Sequence, residues 1–117
     1  MGGIDSDTDL SFLVGKELGQ IGIGKSVVNL RFHDGVSVAI FSSYDIRFGN
    51  RSVAIRRVNS GAAYLLGMIG KKIDEVELLD NATLYLEFSN YTAVVIFDHN
   101  EHGESYRIAA PGVNITV

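Results

Sequence analysis

With 117 residues, 46% of them hydrophobic, the chain has room for one ordinary domain with a real core, and its composition excludes a disordered protein. It has no cysteine, which excludes a disulfide framework and a thiolate site. The net charge of −4 argues against nucleic acid, whose phosphates need concentrated Lys and Arg, and suits a basic protein partner.

Residues 1–9, MGGIDSDTD, read as a polar lead-in to a single β-rich domain over 10–117. They carry acids where a secretory signal would have a basic region and an apolar run, so a cytoplasmic location is expected. The best apolar stretch, Ala62 to Ile69, is too short to cross a bilayer, so no membrane partner is expected.

The chain then repeats itself. Val14-Gly15-Lys16 returns as Ile69-Gly70-Lys71, and Leu18, Ile21 and Ile23 return as Ile73, Val76 and Leu78, at a spacing of 55. Val28, Leu30, Phe32, Val38, Ile40 and Phe41 return as Leu84, Leu86, Phe88, Val94, Ile96 and Phe97, at 56. The inserted residue falls where a turn can absorb it. Repeat one spans 14–58, a connector helix 60–69, and repeat two 69–117.

Within each repeat the apolar period is two. Val28, Leu30 and Phe32 alternate with Asn29, Arg31 and His33, which predicts half-buried strands, and Asp34-Gly35 predicts a hairpin because both residues accept positive φ. Leu84, Leu86 and Phe88 repeat the pattern and place Tyr85 and Glu87 together on the opposite face. A shorter strand–turn–strand follows each meander, turning at Gly49-Asn50 and at Pro111-Gly112. Between the repeats Ser60 is placed to cap a helix through Ile69 that is apolar nearly all round, hence one packed inside or across the sheets. The fold class is mainly β (α+β): two related antiparallel meanders from an internal duplication, with one short central helix.

One motif invites a different reading. GQIGIGKS, residues 19–26, matches the phosphate-loop pattern, and Val94 to Asp98 resembles the strand-end aspartate of a magnesium site, which together would make a nucleotide-binding enzyme of Lys25, Ser26 and Asp98. Such a loop needs a helix after it to supply amides and dipole, and Val27 to Phe32 alternate as a strand. Gly19 and Gly22 align with Asp74 and Glu77 in the other repeat. The motif is therefore expected to be a turn, and no catalytic residue and no cofactor are expected.

His99, His102, Asp98, Glu101 and Glu104 offer metal-ligand types, but in a loop without anchoring ligands, so no metal is expected. His33 reads as an exposed turn histidine. The acids are more informative. Glu75, Glu77 and Glu87 gather on the second meander beside Tyr85, and Asp98, Glu101 and Glu104 form a second acidic loop. Tyrosine supplies rigid contact area and carboxylates supply complementarity, so these seven residues are the expected partner-binding set. A small β-barrel holding an apolar ligand between the repeats is a further expectation.

The second half, from Ile69-Gly70-Lys71 through Leu84-x-Leu86-x-Phe88 to Glu104-Ser105-Tyr106-Arg107-Ile108 and Ile115-Thr116-Val117, resembles an uncharacterised family of small bacterial β-rich domains. The features of that family are a Gly-Arg/Lys opening, an L-x-F-x-D-G hairpin and a late E-S-W/Y strand. Phe32-His33-Asp34-Gly35 supplies the hairpin in the first half, and Asn90-Tyr91 departs from it in the second. Small, acidic, cysteine-free β proteins of this kind also resemble the immunity proteins of bacterial toxin systems, including contact-dependent growth inhibition. That resemblance implies a non-catalytic module that neutralises a cognate, basic toxin domain.

Overall fold

The computed structural model describes residues 8–100 and 103–117. Among the described residues ten strands form in chain order: β1 (Leu18–Ile23), β2 (Val28–Phe32), β3 (Ser37–Ile40), β4 (Tyr44–Phe48), β5 (Arg51–Ile55), β6 (Ile73–Leu79), β7 (Thr83–Phe88), β8 (Thr92–Ile96), β9 (Tyr106–Ala110) and β10 (Val113–Thr116). A short helix, α1 (Ala62–Leu66), lies between β5 and β6. The strands build two five-stranded antiparallel sheets, ordered β1-β2-β3-β9-β10 and β5-β4-β8-β7-β6.

The two copies of the duplication exchange their last two strands. β4 and β5 leave the sheet of β1–β3 and pair through β4 with β8, while β9 and β10 make the reverse journey and pair through β9 with β3. The crossings are themselves hydrogen-bonded: Phe41 N–H donates to the Ser105 carbonyl at 2.9 Å and Phe97 N–H to the Ser43 carbonyl at 3.1 Å. Each sheet is thus built from both copies, and neither copy buries its apolar face alone.

A pseudo-twofold axis relates the halves. Glu17 and Lys72, equivalent residues, pair with each other across it. Around that bridge the bonds are reciprocal: Gly15 N–H to the Ile73 carbonyl (2.7 Å) mirrors Gly70 N–H to the Leu18 carbonyl (2.8 Å), and Ile73 N–H to the Lys16 carbonyl (3.0 Å) mirrors Leu18 N–H to the Lys71 carbonyl (2.9 Å). Even the irregularity is duplicated, with a bulge between Leu18 and Gln20 and another between Ile73 and Glu75. The extra residue of the second copy is taken up in the 3-10 turn Asp80–Ala82, where Ala82 has φ 58°.

Alternation decides what is buried. Leu30, Val38, Ile40, Ile46, Leu84, Leu86, Val94, Ile96 and Ile108 point between the sheets and are fully or almost fully buried. Phe32 and Phe88 stack at the centre. The predicted turns form as read: Asp34 (φ 65°) with Gly35 (φ 74°), Gly49 (φ 64°) before Asn50, and Gly112 (φ 76°) after Pro111.

The connector departs from its reading. Only Ala62–Leu66 is α-helical, entered through a 3-10 turn over Val58–Gly61, and Ser60 caps nothing; its hydroxyl donates to the Arg57 carbonyl at 2.7 Å. Glycines at 61 and 67 flank the helix, which keeps it to little more than one turn. It is not enclosed. Leu65 and Met68 enter the core, while Tyr64, Leu66 and Ile69 are exposed. Among the described residues no helix is long and apolar enough to cross a membrane.

Candidate partner-binding face

Strand β7 turns Leu84, Leu86 and Phe88 inward, as the alternation requires, so Thr83, Tyr85 and Glu87 line the outer face of the second sheet. The ladder to β6, the outermost strand, sets Glu77 opposite Tyr85 and Glu75 opposite Glu87. The bulge after Ile73 keeps Glu75 and Glu77 on that outer face. Four of the seven expected partner-binding residues therefore form one patch on two adjacent strands.

The patch is electrostatically unfavourable in isolation. Carboxylates directly opposite on neighbouring strands repel, and Glu75 and Glu87 are such a pair. Tyr85 moderates the repulsion by donating its hydroxyl to Glu87 Oε1 at 2.8 Å. The same bond, assisted by partial burial and by the charges of Glu87, Glu75 and Glu77, pushes the Tyr85 phenol up to about 12. Inboard of the acids, Ala93 and Val95 of β8 lie on the outer face yet are buried.

The remaining candidates do not join this patch. Glu104 is held by Arg107 of β9, whose guanidinium reaches both carboxylate oxygens at 2.9 and 2.6 Å, so its charge is spent beside the first sheet. Asp98 accepts a 2.6 Å bond from the Ser105 hydroxyl and helps organise the crossing between β8 and β9. Glu101 lies outside the described residues. Local charge density was legible in the chain. Which acids share a face depended on pairing.

GQIGIGKS occupies β1 from Gly19 onward and the turn that leads into β2, with Gly24 N–H bonded to the Val27 carbonyl at 2.8 Å, so a strand and not a helix follows it. Its glycines make room for side chains from β2 and from the turn after it. A Cβ on Gly22 would sit 3.3 Å from Arg31 Nη2, and one on Gly19 would sit 3.0 Å from the His33 ring. Lys25 and Ser26 are exposed. His33, also exposed, lies 3.7 Å from Glu17. Among the described residues no group of three or more His, Asp or Glu side chains is placed to hold a metal ion. His99 instead stacks on Phe97, with ring centroids 5.0 Å apart.

One residue escaped the sequence reading. Tyr91, at the tip of the β7–β8 hairpin that carries Glu87, is 81% exposed and has φ 62°. Its counterpart in the first copy is Gly35, at φ 74°. A bulky side chain in the left-handed region is uncommon and costs free energy. The signal was present in the chain, where Asn90-Tyr91 stands in place of Asp34-Gly35. Comparison with protein-family models, with curated proteins and with solved structures finds no match for this chain.

Proposed function

We propose that this protein is a non-catalytic binding module that docks a basic partner on the outer face of β6 and β7, and that it acts as a cytoplasmic immunity protein neutralising a cognate bacterial toxin domain. One observation carries the binding reading. Glu75 and Glu87 face each other across a ladder where like charges are destabilising, beside Glu77 and a tyrosine bonded to one of them. A cation supplied by a partner would relieve that repulsion and turn a local cost into affinity. Tyr91, exposed on a strained backbone at the end of the same hairpin, is the aromatic anchor of the reading. Blockade would be steric, with charge matching setting the association rate.

The first test is whether a toxin gene neighbours the gene for this protein, and the second pairs the protein with the domain such a gene encodes. Wild-type protein should rescue growth and co-purify with that domain, with association slowing as salt rises. The triple variant Glu75→Lys, Glu77→Lys, Glu87→Lys should lose both while keeping its circular dichroism spectrum. Full protection by a correctly folded triple variant would remove this face from the mechanism.

A further inference from the structure

The duplication that built the acidic face built a second one with the opposite chemistry. Equivalent ladders run Gln20–Arg31 and Gly22–Asn29 on β1 and β2, against Glu75–Glu87 and Glu77–Tyr85 on β6 and β7. Arg31 stands where the other copy has Glu87, Gln20 where it has Glu75, and Gly22 where it has Glu77. Lys25, in the turn beyond, answers the turn of Asp80. Among the described residues neither Lys25 nor Arg31 forms an ion pair, and neither do Glu75 and Glu77.

The two surfaces also differ in relief. On the first, Gly19 and Gly22 leave a low floor across which the Arg31 guanidinium and His33 ring lie. On the second, Asp74, Glu77 and Tyr85 stand proud at the matching or facing positions. Low meets high where positive meets negative, on backbones of the same shape.

Beyond Leu18, which bonds to Gly70 and Lys71, β1 is moreover an open sheet edge. Gly24 pairs with Val27 through the ladder, so alternation turns the N–H and C=O groups of Ile21 and Ile23 away from β2. No described backbone group bonds to them. Edge strands are ordinarily blunted by charge, as Asp74, Glu75 and Glu77 blunt β6, but Leu18–Ile23 contains no charged residue. At its end Ile23 is 52% exposed, and the neighbouring α1 segment adds Leu66 at 49% and Ile69 at 42%.

We infer that a second copy of this chain docks its acidic β6–β7 margin on the basic, glycine-floored β1–β2 margin of the first, giving salt-sensitive head-to-tail self-association. The occupant is a copy rather than an unrelated acidic protein because both complementary surfaces, matched in backbone geometry by the duplication, are present on one chain. Such a contact is heterologous and propagates into a ring or a short filament. It also occupies the face assigned above to the basic partner, so partner binding and self-association compete.

Sedimentation velocity on the full chain tests this. Wild-type protein should form concentration-dependent species larger than a monomer at roughly 0.01 M salt, where the screening length is about 30 Å, and lose them at roughly 1 M, where it is about 3 Å. Lys25→Glu with Arg31→Glu should be monomeric at low salt, as should Glu75→Lys with Glu87→Lys. Mixing the two double variants should restore association, because one then presents only acidic margins and the other only basic ones. A wild-type monomer at all concentrations in low salt would overturn the inference, as would association that persists in either double variant alone, or a mixture that stays monomeric. The Lys25→Glu, Arg31→Glu variant should still protect against the toxin domain, so a failure of self-association and a failure of the proposed function remain separate results.

Discussion

Phe32 and Phe88, equivalent residues of the two copies, lie ring over ring with centroids 6.2 Å apart and planes 16° apart. Each comes from the second strand of its own meander, so the pair joins the sheets at the pseudo-twofold axis. Either residue replaced by alanine should cost about 3–5 kcal/mol, the usual range for an aromatic core truncation. The double variant should fall short of the sum, because each single change already dissolves the stack. Urea unfolding of the four proteins measures the coupling, and strict additivity would mean that the rings pack independently.

Gly61 is required by Tyr44. A Cβ at position 61 would run into the Tyr44 hydroxyl and lie 3.0 Å from Ile55 Cγ1, while that hydroxyl is fixed by a 2.6 Å bond to the Val58 carbonyl. Gly61→Ala should therefore destabilise by about 1–3 kcal/mol through overpacking. The penalty should shrink in a Tyr44→Phe background, where the obstructing oxygen is gone. Melting temperatures of the two single variants and the double variant decide the point.

Tyr91 should be a place where stability has been given up. Most of its side chain is in water, so Tyr91→Gly forfeits little burial and releases a left-handed backbone strain of about 1–2 kcal/mol, partly offset by the entropy glycine adds to the unfolded chain. A net gain of about 0.5–1 kcal/mol is expected in denaturant unfolding, together with weaker partner binding. Stability lowered by the substitution would show that Tyr91 packs in a way its exposure does not reveal.

Above pH 10 the protein should lose stability. Tyr85 and Tyr44 are both raised to about 12, the first by the Glu87 bond and its acidic neighbours, the second by burial; burial, with the Asp98 charge, raises Tyr106 as well. Each raised phenol holds its proton in the folded state after the unfolded chain has released it near 10. Their contribution is complete below pH 10 and drains away as the pH climbs toward 12. Ultraviolet titration of phenolate should show Glu87→Gln bringing the Tyr85 transition down toward its ordinary value.

Much of the fold was legible because burial leaves a period in the chain. Leu84, Leu86 and Phe88 alternate since one face of β7 is dry, and that alone put Tyr85 and Glu87 outside. Asp34-Gly35, Gly49-Asn50 and Pro111-Gly112 marked turns because few residues tolerate the dihedral angles there. The connector was less legible. Its apolar residues predicted enclosure, but a helix of little more than one turn between two glycines has only one side to bury, and Tyr64, Leu66 and Ile69 remain outside.

By itself, then, the chain determined the duplication, the strands, the turns and the inward residues, all of which are local patterns of side-chain chemistry. Tertiary structure decided which strands became neighbours: the exchange of β4–β5 with β9–β10, the separation of Glu104 and Asp98 from the Glu75–Glu87 patch, and the pairing of like charges across β6 and β7. The reason is physical. A ladder is made by backbone groups common to every residue, so a strand's sequence states that it will pair and which face it hides, but the choice of partner belongs to the assembled core.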